Sequence, residues 1–253
     1  MLWFRLPRVC LHLLAGLLTA ALVFPFVGVT VRGRLVKRWS VKLLLVCRVQ
    51  VIFNGDGSTL AHARALIVAN HVSWLDIFVI NAILPCRFVA KSDIRDWPLV
   101  GWLCNKAGTI FISRGRIRDV RLIFENLVAS LQAGEHVAFF PEGTTAAQGT
   151  LLPFHANLFE AAIDAQVPVQ PFALRYVDAG GGLHPAADFI GEMTFAQSML
   201  MILRSEVMHA TLVILPALAS NGAHRRELAL AAHAAIGSAL GIGVQDSVAD
   251  KAA

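Results

Sequence analysis

Residues 65–84 read Ala-Leu-Ile-Val-Ala-Asn-His-Val-Ser-Trp-Leu-Asp-Ile-Phe-Val-Ile-Asn-Ala-Ile-Leu, and this stretch decides the fold. Ala65 to Ala69 is an unbroken apolar run of strand length, the kind that lies in the middle of a sheet covered on both faces. It passes directly into the polar segment Asn70 to Asp76, and a helical apolar stretch from Asp76 to Leu84 follows. Strand, short loop and helix in that order make an α/β unit.

The same alternation repeats outward in both directions. Strands are predicted at Val49–Phe53, which ends in the turn signal Asn54-Gly55-Asp56-Gly57, and from Arg87, Thr109, His136, Val169 and Thr211. Helices are predicted near Pro98, from Arg116 to Leu131, from Asn157 to Ala165 and from Arg225 to Ala239. In the second of these, Ile117, Val120, Phe124, Leu127 and Leu131 form one stripe, and Gly134 supplies the stop. The expectation is one α/β domain with a largely parallel central sheet flanked by helices. Chemistry in such folds sits in loops at the carboxyl ends of strands.

Upstream, Val9 to Val31 carries no formal charge, which is long enough for a membrane-embedded helical segment. It either crosses the bilayer or turns back within one leaflet, with Pro25 and Phe26 near the bend. Arg5 and Arg8 precede it; Arg32, Arg34, Lys37, Arg38, Lys42 and Arg48 follow, which favours a cytoplasmic domain if the segment spans. Residues 39–48 read either as an interfacial helix or as the first helix of the globular domain. The expected organisation is an anchor with interfacial helix over 1–47, a catalytic domain over 48–243 and a flexible tail over 244–253.

Apolar residues make up 56% of the 253, and the net charge is +5. Those two features together fit an anionic lipid surface and exclude nucleic acid, because the basic residues do not interleave with aromatics. Cys10, Cys47, Cys86 and Cys104 lack the spacing of a zinc site or disulfide scaffold, so free thiols and no metal are expected.

His71 opens the loop after the central strand, and Asp76 follows close enough for a turn to bring its carboxylate onto the imidazole. A carboxylate partner fixes the ring tautomer and leaves the other nitrogen to accept a proton from a hydroxyl. The competing reading makes His71 structural and Asp76 a helix cap. Ser73 as a nucleophile lacks the Gly-x-Ser-x-Gly elbow. After a second strand come Phe140-Pro141-Glu142-Gly143-Thr144-Thr145. Here Gly143 permits close backbone approach, both hydroxyls can donate to phosphate, and Glu142 can accept from a polyol or orient a basic side chain. Arg114 ends Gly108-Thr109-Ile110-Phe111-Ile112-Ser113-Arg114 and offers a fork to a phosphate, with Lys91 as a second contact.

Asn70-His71-Val72-Ser73-Trp74-Leu75-Asp76 resembles the N-H-x-x-x-x-D block of the bacterial-type 1-acyl-glycerol-3-phosphate (lysophosphatidic acid) acyltransferase family, with Asn70, Ser73 and Trp74 in the expected places. Phe140 to Thr144, including Pro141, is similar to that family's F-P-E-G-T block. Gly108 to Arg114 is similar to G-x-I-F-I-D-R, with Ser113 in place of Asp, and Val167-Pro168-Val169-Gln170-Pro171-Phe172 to V-P-x-x-P-V. Leu152-Pro153-Phe154-His155 also resembles a family segment. The resemblance implies an acyltransferase of phospholipid biosynthesis in the cytoplasmic membrane. It would move an acyl group from a thioester donor, acyl-CoA or acyl carrier protein, to a lysolipid hydroxyl without a cofactor. His71 and Asp76 would be catalytic, with Arg114, Lys91, Glu142, Gly143 and Thr144 on the acceptor. Lyso-ornithine lipid is the alternative acceptor; a non-catalytic lipid-binding protein and a lipid hydrolase are the readings from other classes.

Overall fold

The structure, a computed structural model, describes residues 2–54, 64–97, 99–112 and 117–242. The expected turn after Asn54, Pro98, Ser113, Arg114 and the tail over 244–253 therefore lie outside the described residues.

The chain begins with helix α1 (Leu2–Leu22), turns through a 3-10 segment at Phe24–Phe26, and returns as helix α2 (Val29–Val46). Pro25 in the turn has no N–H to continue the helix, and Gly28 precedes the first turn of α2. The two helices lock where Trp39 crosses His12. Their rings stack at 4.7 Å, the Trp39 Nε1–H donates to the His12 carbonyl at 3.1 Å, and His12 Nε2 meets the Trp39 carbonyl at 2.9 Å. Gly16 permits this approach, because a Cβ there would lie 2.5 Å from Trp39 Nε1. The apolar stretch is thus one arm of a helical hairpin. Trp3 to Phe26 is apolar and long enough to cross a bilayer core, and Trp3, Phe4, Leu11, Leu22 and Phe26 are exposed on it.

One face of the end of α2 packs on the sheet. Leu43, Leu44 and Cys47 are buried in the same cluster as Val49 and Ile67, while Val41 and Leu45 of the same turns are exposed.

Seven strands follow: β1 (Val49–Asn54), β2 (Leu66–Ala69), β3 (Arg87–Lys91), β4 (Ile110–Ile112), β5 (Val137–Phe139), β6 (Val169–Val177) and β7 (Met208–Ile214). They form one sheet in the order β1-β7-β6-β2-β5-β3-β4. Every neighbouring pair is parallel except β6 with β7. The helices are α3 (Leu75–Ile83), α4 (Val100–Lys106), α5 (Ile117–Gln132), α6 (Glu160–Asp164), α7 (Phe195–Arg204) and α8 (Arg225–Leu240). The helix expected over Asn157–Ala165 is split, with a 3-10 turn at Ala156–Phe159 before α6.

Side chains alternate across the pleat into two cores. Ile67, Ala69, Ala138, Phe172, Leu174 and Tyr176 face the cluster built with α2 and α3, whereas Leu66, Val68, Val137 and Phe139 face Leu127, Phe159 and Ala232. A sheet covered on both faces explains why β2 is apolar at every position; Leu66, Ile67 and Val68 each contribute about 1.5–3 kcal/mol on full burial. The registers place the carboxyl ends of the site strands together. Val68 pairs with both Phe139 and Pro171, so the loops after β2 and β5 open on the same edge. Ala69 pairs with Phe172, and residues 173–177 of β6 run on past the end of β2, alongside that loop.

Candidate active site

The loop after β2 is held at each step. Asn70 is buried; its Nδ2 donates to the Leu174 carbonyl at 2.9 Å and its Oδ1 accepts from the Leu174 N–H at 2.8 Å. The side-chain amide thereby continues the pairing with β6 after the main chain of β2 has turned away. His71 comes next, with both of its backbone groups docked on the loop that follows β5. Its N–H donates to Glu142 Oε1 at 2.7 Å, and its carbonyl accepts from the Ala146 N–H at 2.8 Å.

The His71 imidazole lies flat on the Phe140 ring, 3.8 Å between centroids and 6° between planes. Nδ1 meets Asp76 Oδ2 at 2.8 Å, and the His71 side chain keeps 19% of its surface exposed while Asp76 has none. A carboxylate accepts, so the proton belongs on Nδ1, and Nε2, which meets no hydrogen-bond partner among the described residues, keeps its lone pair. Asp76 Oδ2 also accepts from the Val72 and Ser73 N–H groups at 2.8 and 2.9 Å, and Oδ1 accepts from the Tyr176 hydroxyl at 2.6 Å. Asp76 thus serves the turn into α3 and the imidazole together. Burial pushes the Tyr176 phenol well above its ordinary range, and the neighbouring Asp76 charge pushes the same way, so it stays a donor.

Glu142 is buried, and its two oxygens take the His71 and Leu152 N–H groups at 2.7 and 2.9 Å. The carboxylate thereby ties the Leu152 main chain and its own turn after β5 to the main chain of His71. Burial pushes its carboxyl up, against the opposing pull of those two amides and the His71 charge. Gly143, at φ +70°, makes the turn with its N–H on the Phe140 carbonyl at 3.1 Å. A Cβ there would also lie 3.4 Å from the His155 ring. Gly143 and Thr144 are exposed, but the Thr145 hydroxyl is spent on the Phe189 carbonyl, so the expected pair of free hydroxyls reduces to one.

Ser73 Oγ is fully buried and has no hydrogen-bond partner, which removes it as a nucleophile activated by His71. Trp74 is structural: its Nε1–H donates to Ser198 Oγ at 3.1 Å, and its ring packs edge-on against Phe195 of α7. Pro141 is buried, its carbonyl accepting from the His155 N–H at 2.9 Å. Lys91 is exposed at the carboxyl end of β3, on the edge that carries His71. Arg114 follows the end of β4 and lies outside the described residues. Among the described residues, no group of three His, Cys, Asp or Glu is placed to hold a metal ion. Tyr176 was not anticipated: it sits 100 positions from Asp76 and matches no spacing.

Three comparisons bear on this arrangement. Residues 50–175 match a family model described as Acyltransferase. The chain is 38% identical over 209 residues to a lyso-ornithine lipid O-acyltransferase of Pseudomonas aeruginosa, covering 83% of this chain and 79% of the relative. It is 48% identical over 116 residues to a 1-acyl-sn-glycerol-3-phosphate acyltransferase of Neisseria gonorrhoeae, 46% of each. In structure it resembles the crystal structure of the 1-acyl-sn-glycerophosphate acyltransferase PlsC from Thermotoga maritima. The TM-score is 0.60 at 18% identity, over 95% of this chain and 100% of that one, so the likeness concerns the fold.

Proposed function

Because this chain belongs to the acyltransferase family of glycerolipid enzymes, we propose that it acylates the free hydroxyl of 1-acyl-glycerol-3-phosphate, with His71 as the general base and Asp76 as its partner. The observation that carries the reading is the anchored imidazole: Nδ1 is held 2.8 Å from a fully buried carboxylate while the ring keeps an exposed edge. As the acceptor oxygen attacks the thioester carbonyl, its proton passes to Nε2 and a tetrahedral oxyanion forms. Collapse breaks the C–S bond, and the imidazolium returns the proton to the leaving thiolate. The donor is acyl-CoA or acyl carrier protein. Base assistance of this kind typically gives about 10²–10⁴-fold.

The oxyanion needs preorganised donors. The N–H groups of His71, Val72 and Ser73 are committed to Glu142 and Asp76, whereas those of Thr144 and Thr145 donate to no described group. The loop after β5 therefore supplies them in this scheme. Arg114, Lys91, Gly143 and Thr144 would hold the acceptor phosphate. Support for a phosphate comes from the relative named for that acceptor, at 48% identity. Lyso-ornithine lipid is a second reading, favoured by the relative that aligns over 83% of the chain.

The apolar hairpin arm accords with membrane association. We place the enzyme at the cytoplasmic membrane with its domain on the cytoplasmic face: a hairpin returns the chain to the side it entered from, and Arg34, Lys37, Arg38 and Lys42 on α2 are exposed to anionic lipid.

The deciding experiment offers the detergent-solubilised enzyme both lysolipids side by side, with labelled acyl-CoA and acyl carrier protein thioesters. Product from 1-acyl-glycerol-3-phosphate, with Arg114→Ala raising its KM, is expected. Product from the aminolipid alone would overturn the phosphate assignment and keep the His71–Asp76 chemistry.

A further inference from the structure

Tyr176 is the sole tyrosine of the chain and lies one residue beyond the segment that matches the family model. Its side chain is fully buried. The backbone around it is held from three sides: its N–H donates to Gln148 Oε1 at 2.7 Å, its carbonyl accepts from the His184 N–H at 2.9 Å, and it pairs with Ala210 of β7. A hydroxyl carried on so fixed a frame reaches one acceptor, Asp76 Oδ1, at 2.6 Å.

The two oxygens of Asp76 are unequally loaded. Oδ2 takes three donors, among them His71 Nδ1, while among the described residues Oδ1 takes only the tyrosine hydroxyl. We propose that Tyr176 is a positioning residue for acyl transfer: its hydroxyl fixes the Asp76 carboxylate and sets how strongly that carboxylate holds the imidazolium of His71. The proposal rests on His71 acting as the base.

A charge-assisted donor on one carboxylate oxygen draws negative charge toward itself and away from the other. Removing it leaves a buried oxygen unsatisfied and concentrates charge at Oδ2, against the ring. The protonated ring is then held more tightly, and the base is lost at a higher pH. A more acidic phenol does the opposite. The ionisable groups facing Asp76 are His71 from its own loop, Tyr176 from β6 and Glu142 from the loop after β5. Glu142 is unchanged in the variants below, so its influence is constant across the series.

A single tyrosine makes the test clean, because biosynthetic incorporation of 3-fluorotyrosine alters that ring alone. Tyr176→Phe should move the acid limb of kcat/KM up by about half a pH unit or more, within the range expected for a hydrogen bond to a charged group. The fluorotyrosine enzyme should move the same limb down. KM for the lysolipid should stay constant in both, and the fluorine resonance should titrate with the midpoint of the acid limb. A purely structural tyrosine would lower the thermal midpoint in Tyr176→Phe and leave the limb in place; that result overturns the proposal. So does a limb that moves in the same direction in both enzymes, or a fluorine resonance blind to the limb. If Tyr176→Phe does not fold, the fluorotyrosine enzyme decides alone. Failure of the underlying base assignment is separate, appearing as activity retained in His71→Ala.

Discussion

Replacing Asp76 by Asn separates the charge of this residue from its shape. Four donors converge on the carboxylate, three on Oδ2 and one on Oδ1. An asparagine whose oxygen occupies the Oδ2 position still accepts from the Val72 and Ser73 amides and from His71 Nδ1. Its NH₂ group then faces Tyr176, whose hydroxyl can rotate to accept. The turn and the ring tautomer survive, and what is lost is the negative charge beside the developing imidazolium. With Nδ1 2.8 Å from Oδ2, the charge centres lie about 4 Å apart, which at an effective dielectric near 20 gives roughly 4 kcal/mol. Transfer of the proton is incomplete in the transition state, so roughly half to three-quarters of that, about 2–3 kcal/mol, should appear in the barrier. The expected loss in kcat is therefore about 30- to 150-fold, with the acid limb of kcat/KM displaced downward and the thermal midpoint little changed. The assay is initial-rate transfer from a labelled acyl thioester to lysolipid in mixed micelles, beside a thermal melt of the same preparation. A folded Asp76→Asn enzyme with less than about a five-fold loss would refute the electrostatic argument.

Other perturbations test the scaffold around the base. Glu142→Gln sets an NH₂ donor against either the His71 or the Leu152 N–H, which should cost about 1–3 kcal/mol of stability and lower kcat through the displaced His71 main chain. A rise in acceptor KM with kcat unchanged would instead assign Glu142 to the acceptor site. On the acid side, burial raises the Glu142 carboxyl, so it takes up a proton earlier than an ordinary glutamate. Proton binding is then tighter in the folded than in the unfolded state. Through this group, stability is kept below the unfolded pKa and lost as pH rises through the folded one. Activity behaves oppositely, since a protonated Glu142 can no longer accept from both amides. The acid limb of kcat/KM should fall more steeply than a single proton allows, and a slope of one would contradict this.

Much of the fold was legible because a doubly covered parallel sheet leaves short, fully apolar strands punctuated by turns. All seven strands fall on runs read from the sequence, and of the stripe on α5, Leu127 and Leu131 are buried with Phe124 packed against their cluster. One helix was not foreseen, and the course of the N-terminal segment was one of two alternatives. Helix α7 is announced by a capping box, Thr194 with Gln197, but at 10 residues its apolar stripe is shorter than that of the 16-residue α5. The hairpin was left open because hydropathy does not register Gly16 against Trp39, a contact made across the bend. Within the site, the pairing of His71 with Asp76 could be anticipated because a single turn joins them. The roles of Glu142 and Tyr176 could not. Both act on partners 71 and 100 positions away, brought near by the parallel register of β2, β5 and β6. A glutamate in a Pro-Glu-Gly-Thr turn gives no sign from its neighbours that its oxygens face backbone amides.

The most direct test of the central claim is acyl transfer by purified His71→Ala. The ring stacks on Phe140 at a partly exposed site and its backbone contacts do not depend on the side chain, so the variant should fold. The account predicts a loss of about 10²-fold or more in kcat with both donor thioesters. More than about a tenth of wild-type activity in the folded variant would contradict His71 as the base.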